Sequence, residues 1–276
     1  VTVAHAIAVL RRHPRPLRLI AARLLQRSGL SRLFTIRLDG YALRFFPTNL
    51  SANLWIDPSS RFHDLSIFLD YCRPGDLVVD VGANIGEVAI VCSQRVGDTG
   101  RVVAFEPHPR IFNYLQGNLA LNRCSNVTAR PVALGSGAAT ARMSDDRRDD
   151  MNRLTTDGAI EIACSTLDAE VPDRPVALLK VDVEGTELQV LRGAAATLRR
   201  TQCVNCELID EHCRRYGHSP AEVIGLLRAA GFGTYIVQAP RRLQPVTESF
   251  AGTGAYELIA VRNPAAFLER TGWTAA

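Results

Sequence analysis

The sequence predicts an α/β fold, a doubly wound sheet of mainly parallel strands with a helical and hairpin extension ahead of it. Three observations predict it. Residues 76–86, Asp-Leu-Val-Val-Asp-Val-Gly-Ala-Asn-Ile-Gly, begin with an apolar, mostly β-branched run (Leu77, Val78, Val79, Val81) of the kind a strand buried on both faces carries. Gly82 and Gly86 follow, and Ile85, Val88, Ala89 and Ile90 then recur at helical spacing. Beyond this strand, turn and helix, strand-like and helix-like stretches alternate to the end of the chain, as parallel sheets with crossover helices require.

The elements follow in order. Residues 1–72 form the extension and residues 73–276 the α/β domain. The first 32 residues hold seven arginines and no acid, with Leu17, Ile20, Ala21, Leu24 and Leu25 at helical spacing. No apolar run here is long enough to cross a membrane, and arginines inside the apolar part are not the pattern of a cleaved signal. Two readings stand: peripheral docking on a membrane surface, or packing of the apolar face on the domain or on a partner subunit of a homo-oligomer. Residues 34–46 contain two short strand-like runs around Asp39-Gly40, a hairpin turn signal. Residues 53–57 and a helix over 62–72 come next, the helix stopped by Pro74-Gly75, and together they are candidates for a lid over the cofactor site.

After the first core strand, residues 101–107 read as the second, ending in Glu106. Residues 111–121 form a helix and 127–134 the third strand. The charged run 144–150 is a solvated loop. Residues 176–183 are the next strand, with a helix through Leu198, and 203–209 the fifth. A helix over 220–230 and strands at 234–237 and 256–261 close the chain as a hairpin at the sheet edge.

Open α/β sheets bind ligands at the carboxyl ends of their strands, where helix N-termini present free N–H groups. The spacing at the first turn is not that of the dinucleotide fingerprint, because Asp80 stands where its first glycine belongs. A carboxylate there favours a cationic ligand, and S-adenosylmethionine, with an ammonium and a sulfonium, suits D-x-G-x-x-x-G better than NAD. Glu106 lies about 20 to 25 residues beyond the glycine turn, the place of a ribose-hydroxyl acceptor. Asp80, Gly82, Ala83, Asn84, Gly86, Glu106 and Pro107 are therefore the cofactor candidates, with Val132 and Ala133 beside the adenine. At the end of the 176–183 strand, Lys180 and Asp182 point to one side while Val181 and Val183 pack on the other. Two opposite charges there are expensive unless they pair or work.

Composition bounds the rest. The chain has 276 residues, 47% of them hydrophobic, a net charge of +4 and only 7% aromatic residues, which does not suggest a nucleic-acid surface of stacked rings and basic stripes. Lys180 is the only lysine among 32 basic residues. Seven cysteines scattered through predicted strands and helices indicate a reducing cytoplasm rather than a disulfide framework. Cys203, Cys206, His212 and Cys213 could be written as a metal tetrad, but Cys203 and Cys206 fall three apart in one strand and face opposite sides. No metal site is assigned to them.

With these residues assembled, the chain resembles the FkbM-type family of S-adenosylmethionine-dependent methyltransferases. The resemblance rests on Val79-Asp80-Val81-Gly82-Ala83-Asn84-Ile85-Gly86, on Ala104-Phe105-Glu106-Pro107, and on Lys180-Val181-Asp182-Val183-Glu184-Gly185-Thr186-Glu187 followed by Val190-Leu191-Arg192-Gly193-Ala194. It covers about residues 40 to 240. It implies a Rossmann-like class I methyltransferase sheet of seven strands, the last antiparallel, and O-methylation of a hydroxyl on a sugar, polyketide or lipid-linked molecule. The first 30 residues and the 144–150 loop fall outside it.

The expected chemistry is in-line displacement at the sulfonium methyl, with the acceptor oxygen held about 3 Å from the methyl carbon. Asp182 is the first candidate for the base, tuned by Lys180 and Glu184, with His212 as its rival. A divalent cation bridging Asp182 and Glu207 is the alternative that two acids at adjacent strand ends allow. A nicotinamide-dependent oxidoreductase and a non-catalytic S-adenosylmethionine-binding protein are the competing functions.

Overall fold

The computed structural model describes residues 14–146, 152–247 and 254–276. Most of the 144–150 run and the first 13 residues lie outside the described residues. Helix α1 (Pro16–Ser28) leads to a hairpin of β1 (Thr35–Arg37) and β2 (Ala42–Arg44), then to α2 (Asn49–Ile56) and α3 (Ser66–Tyr71). The α/β region continues through β3 (Leu77–Val81), α4 (Glu87–Val96), β4 (Arg101–Phe105), α5 (Pro109–Leu121), β5 (Val127–Arg130), β6 (Ala133–Leu134), β7 (Ala139–Met143) and β8 (Ile160–Ser165). After the short α6 (Leu167–Glu170) come β9 (Val176–Val181), α7 (Glu187–Arg192), α8 (Ala195–Arg200), β10 (Thr201–Ile209), α9 (Asp210–Arg215) and α10 (Pro220–Ala229). The chain closes with β11 (Gly233–Ala239), β12 (Arg242–Pro245), β13 (Ala255–Val261), α11 (Pro264–Thr271) and β14 (Thr274–Ala275).

The main sheet has the order β14-β12-β11-β13-β10-β9-β3-β4-β5. Within it, seven strands from β5 to β11 form the core, and β13 runs antiparallel to both of its neighbours. Two short strands, β12 and β14, extend the far edge. The closing strands are thus not a simple edge hairpin, because β13 inserts between β10 and β11. Its Leu258, Ile259, Ala260 and Val261 are all buried, a run that needs cover on both faces. The expected third strand breaks at Pro131, which has no N–H for a ladder, and β6 joins a separate sheet with β7 and β8. The helix expected through Leu198 divides at Gly193, where a β-carbon would meet the Gly135 carbonyl oxygen at 2.0 Å.

Strand alternation sorts the core into two layers. Val78, Ala104, Leu178 and Ile259 pack with Ile90 and Leu115, and Ile36, Leu43 and Phe45 of the extension belong to the same cluster. Val79, Phe105, Leu179 and Leu208 pack with Leu188, Leu198 and Leu227 on the other face. Cys203 and Cys206 fall in opposite layers, as their spacing requires.

The hairpin is fastened to α5 by side-chain amides. Ala42 N donates to Asn122 Oδ1 and Arg44 N to Asn118 Oδ1, each at 2.9 Å, while Asn118 Nδ2 donates to the Ile85 carbonyl at 2.8 Å. One buried asparagine therefore ties the extension to the glycine turn. Helix α1 packs through Ala22, Leu19 and Leu25. Its predicted apolar stripe does not pack whole: Leu17 and Leu24 are 80% and 61% exposed. The helix expected over 62–72 shrinks to α3, since residues 57–65 fold as successive turns closed by Asp57 on Ser59.

Candidate functional site

The turn after β3 is pressed between its two neighbours. Gly82 N and Ala83 N both donate to the Phe105 carbonyl at the end of β4, at 3.0 and 2.9 Å. On the β9 side, Gly82 has φ 82°, and a β-carbon there would lie 1.8 Å from the Asp182 carbonyl oxygen. Only glycine satisfies both the left-handed backbone and the contact. Asn84 is also left-handed, with φ 49°, which directs its N–H to Glu106 Oε2 at 3.0 Å. Glu106 Oε1 accepts from His108 N at 2.9 Å. Burial pushes the Glu106 carboxyl up to about 7, against the pull of those two N–H donors.

This turn forms one wall of a cleft at the carboxyl ends of β3, β4 and β9. Gly82, Asn84, Glu106, Pro107 and Ala133 line it, and Asp182 and Glu184 close its other end. Asp80, Ala83 and Gly86 stand behind the wall. Asp80 shares the face of Val78 and turns into the protein, and Gly86 precedes the first residue of α4. The cleft also takes in Met143, Asn152 and Leu154 from the stretch around the charged run. Nothing local in the sequence marks them, because β7 and the segment after it reach the cleft only through the small second sheet.

Behind the cleft lies a row of polar side chains in register. Asp80, Lys180 and Asn205 are direct neighbours across β3, β9 and β10. Lys180 Nζ donates to the Gly82 carbonyl at 3.1 Å and forms ion pairs with Asp80 Oδ1 at 3.2 Å and Asp182 Oδ2 at 3.3 Å. Burial alone would lower the Lys180 pKa, but the Asp80 and Asp182 carboxylates outweigh it and keep the ammonium charged.

Asp182 also lines a second pocket, with Arg61, Asp64, Lys180, Asn205, Glu207 and Glu257. Asp182 and Glu207 are hydrogen-bonded. Burial pushes Asp182 up, yet the Lys180 ammonium and the bonds from Glu207 and Lys180 leave it below the usual carboxylate range. Glu207 is pushed up to about 8, first by the Asp182 charge. Its side chain is open to the pocket, so that charge, more than burial, sets its proton affinity. The two acids thus hold one proton between them at neutral pH.

Arg61 Nε reaches Glu87 Oε2 at 3.3 Å, and Tyr41 O–H donates to Glu87 Oε1 at 2.8 Å, which brings the extension to the rim of this pocket. Glu184 lies against His212, whose Nδ1 is 3.0 Å from Glu184 Oε2. Glu257 was discoverable as an acid inside an otherwise apolar strand. Arg61 was not, because only tertiary folding carries it there.

The chain matches the methyltransferase FkbM domain over residues 80–233. It is 31% identical to the hexuronic acid methyltransferase AglP of Haloferax volcanii, a match covering 74% of this chain and 83% of that one. It is 29% identical to the 31-O-demethyl-FK506 methyltransferase FkbM of Streptomyces tacrolimicus, covering 74% and 90%. A third relative, Methyltransferase 1 of Beauveria bassiana, is 30% identical over 51% of this chain and 71% of its own length.

Proposed function

We propose that this chain, which belongs to the FkbM methyltransferase family, transfers the methyl group of S-adenosylmethionine to a hydroxyl oxygen of a sugar-like small molecule. Family membership displaces the nicotinamide-dependent oxidoreductase and the non-catalytic binder as readings. The observation that carries the proposal is the position of Asp182, which lines both the cleft beside Glu106 and the acid-lined pocket next to it.

The cleft residues fit the cofactor. Glu106 presents a carboxylate already oriented by two backbone N–H groups, suited to accept hydrogen bonds from ribose hydroxyls. Pro107, Ile111, Val132, Ala133 and Met143 supply an apolar slot for adenine. Asp80 acts from behind by fixing Lys180. When bound, S-adenosylmethionine supplies an electrophilic methyl on a sulfonium, which leaves with the sulfur keeping the bonding pair.

The second pocket holds the acceptor. Asp182 and Glu207 orient its hydroxyl and take the proton it loses as the new carbon–oxygen bond forms. Lys180 keeps Asp182 in place and anionic. AglP acts on a hexuronic acid by its name, and a polyol acceptor suits a pocket lined by Asp182, Asn205, Glu207 and Glu257. A divalent cation on Asp182 and Glu207 is the weaker reading, because it would compete with the Lys180 ammonium for the same carboxylate.

Among the described residues no helix is long and apolar enough to cross a membrane. The exposed Leu17, Leu24 and Leu33 beside an arginine-rich, acid-free stretch support contact with an anionic lipid surface, which sedimentation with anionic vesicles tests.

Transfer of labelled methyl from S-adenosylmethionine to a panel of hexuronic acids, glycans, macrolides and glycolipids tests the reaction. If Asp182→Asn binds cofactor and turns over normally, the assignment of Asp182 is wrong.

A further inference from the structure

Beside the turn that follows Asp182, three buried side chains from three segments converge. Glu187 opens α7, Cys213 lies in α9, and His218 stands in the loop before α10. A carboxylate oxygen, the Sγ and a ring nitrogen of these residues all lie within 4.8 Å of one another.

Local folding explains the meeting. Helix α9 ends in a turn closed by Gly217 at φ 76°, with Tyr216 N and His218 N both donating to the Cys213 carbonyl, at 3.0 and 3.3 Å. The turn carries His218 back to Cys213. Glu187 Oε1 receives Gly185 N at 2.9 Å and Val183 N at 3.3 Å, which fixes the carboxylate. Its Oε2 makes no hydrogen bond, and neither ring nitrogen of His218 makes a well-aligned one, although the two residues are only 2% and 6% exposed. Buried polar atoms are ordinarily satisfied, so orphaned atoms grouped with a thiol indicate a ligand.

We propose that Glu187, Cys213 and His218 bind one zinc-class divalent ion, with water as the fourth ligand. Thiolate, imidazole and carboxylate together are a set zinc takes, whereas a thiolate disfavours magnesium and calcium. At zinc bond lengths, tetrahedral ligand atoms of this set stand about 3.3 to 3.6 Å apart, so atoms already within 4.8 Å of one another can close on an ion by small side-chain movements. The Cys213 thiol gives its proton to solvent as the sulfur–metal bond forms. The Tyr216 carbonyl beside the imidazole is placed to accept from its second nitrogen. The ion pins the α9–α10 connection to the turn that carries Asp182 and Glu184, a positioning role independent of the methyl-transfer reading.

The test is metal uptake by the whole 276-residue chain after stripping with a chelator, using cobalt(II) and then zinc(II) alone. The expected result is one cobalt per chain, a near-ultraviolet thiolate-to-cobalt band, and displacement by zinc. Cys213→Ser abolishes the band. Outer-shell changes alone weaken metal sites about 10–100-fold, so His218→Gln weakens cobalt binding by more than about 10-fold with an unchanged far-ultraviolet spectrum. His218→Gln decides alone if Cys213→Ser does not fold. Absence of a thiolate band in the parent protein, a band that persists in Cys213→Ser, or unchanged affinity in His218→Gln overturns the site.

Discussion

Lys180 Nζ lies 3.2 Å from Asp80 Oδ1, on residues that face each other in register across β9 and β3. This lysine is the only one in the chain, and its ammonium joins the strand before the glycine turn to Asp182. Removing one partner of a buried pair strands the other charge. Lys180→Met is therefore expected to destabilise the fold by about 3–5 kcal/mol. The double variant Asp80→Asn, Lys180→Met should recover a substantial part of that loss. Urea unfolding followed by circular dichroism measures both, and a double variant no more stable than Lys180→Met would contradict the pairing.

Gly82 carries two demands, and Gly272 only one. Both have positive φ, but Gly272 is an ordinary left-handed helix cap whose β-carbon would meet nothing within 4 Å, while one at Gly82 strikes the Asp182 carbonyl oxygen. Gly272→Ala should cost about 1–2 kcal/mol, the left-handed penalty alone. Gly82→Ala should cost clearly more and abolish cofactor binding, because backbone must shift at the cleft wall. Equal melting temperatures for the two variants would refute this account.

The shared proton of Asp182 and Glu207 predicts the pH dependence of turnover. Glu207 is pushed up to about 8 by the Asp182 charge, so below that pH the pair already holds a proton and accepts another poorly. The rate should rise with pH through about 8 and then level off. Glu207→Gln should remove that limb, and Asp182→Asn should lower kcat about 100-fold or more with little change in cofactor affinity. A flat profile between pH 6 and 9 in the parent enzyme, at saturating substrates, would count against the pair.

Stability should follow pH in the direction opposite to a salt-bridged carboxylate. Burial raises Glu106 and Glu257 to about 7, against roughly 4.3 in the unfolded chain. Between those values the folded protein holds protons that the unfolded chain has released, so unfolding free energy falls as pH rises from about 4.5 to 7. The urea midpoint of cofactor-free protein should therefore be higher at pH 5 than at pH 7.5. A midpoint that rises over that interval would show that these carboxyls are ionised in the fold.

Much of this was legible in the sequence because it depended on local pattern. The run Leu77 to Val81, the glycines after it and Glu106 at the next strand end are short-range signals. The parity that sets Lys180 and Asp182 on one face and Val181 on the other follows from strand geometry alone. What escaped depends on distant segments meeting. The position of β13 between β10 and β11, and the arrival of Arg61 and Met143 at the pockets, are decided by packing. The apolar stripe of α1 misled for the same reason, since the partner surface selected Leu19, Ala22 and Leu25 and left Leu17 and Leu24 outside.

The central claim is that the cleft between Glu106 and Asp182 holds S-adenosylmethionine. Calorimetric titration with S-adenosylmethionine, S-adenosylhomocysteine and NADH, on the parent protein and on Glu106→Ala, tests it most directly. The account predicts micromolar binding of both adenosyl ligands, at least about tenfold weaker in Glu106→Ala, where about 1.4 kcal/mol or more of charge-assisted hydrogen bonding is lost. Binding of NADH alone, or adenosyl binding unchanged by the substitution, would contradict it.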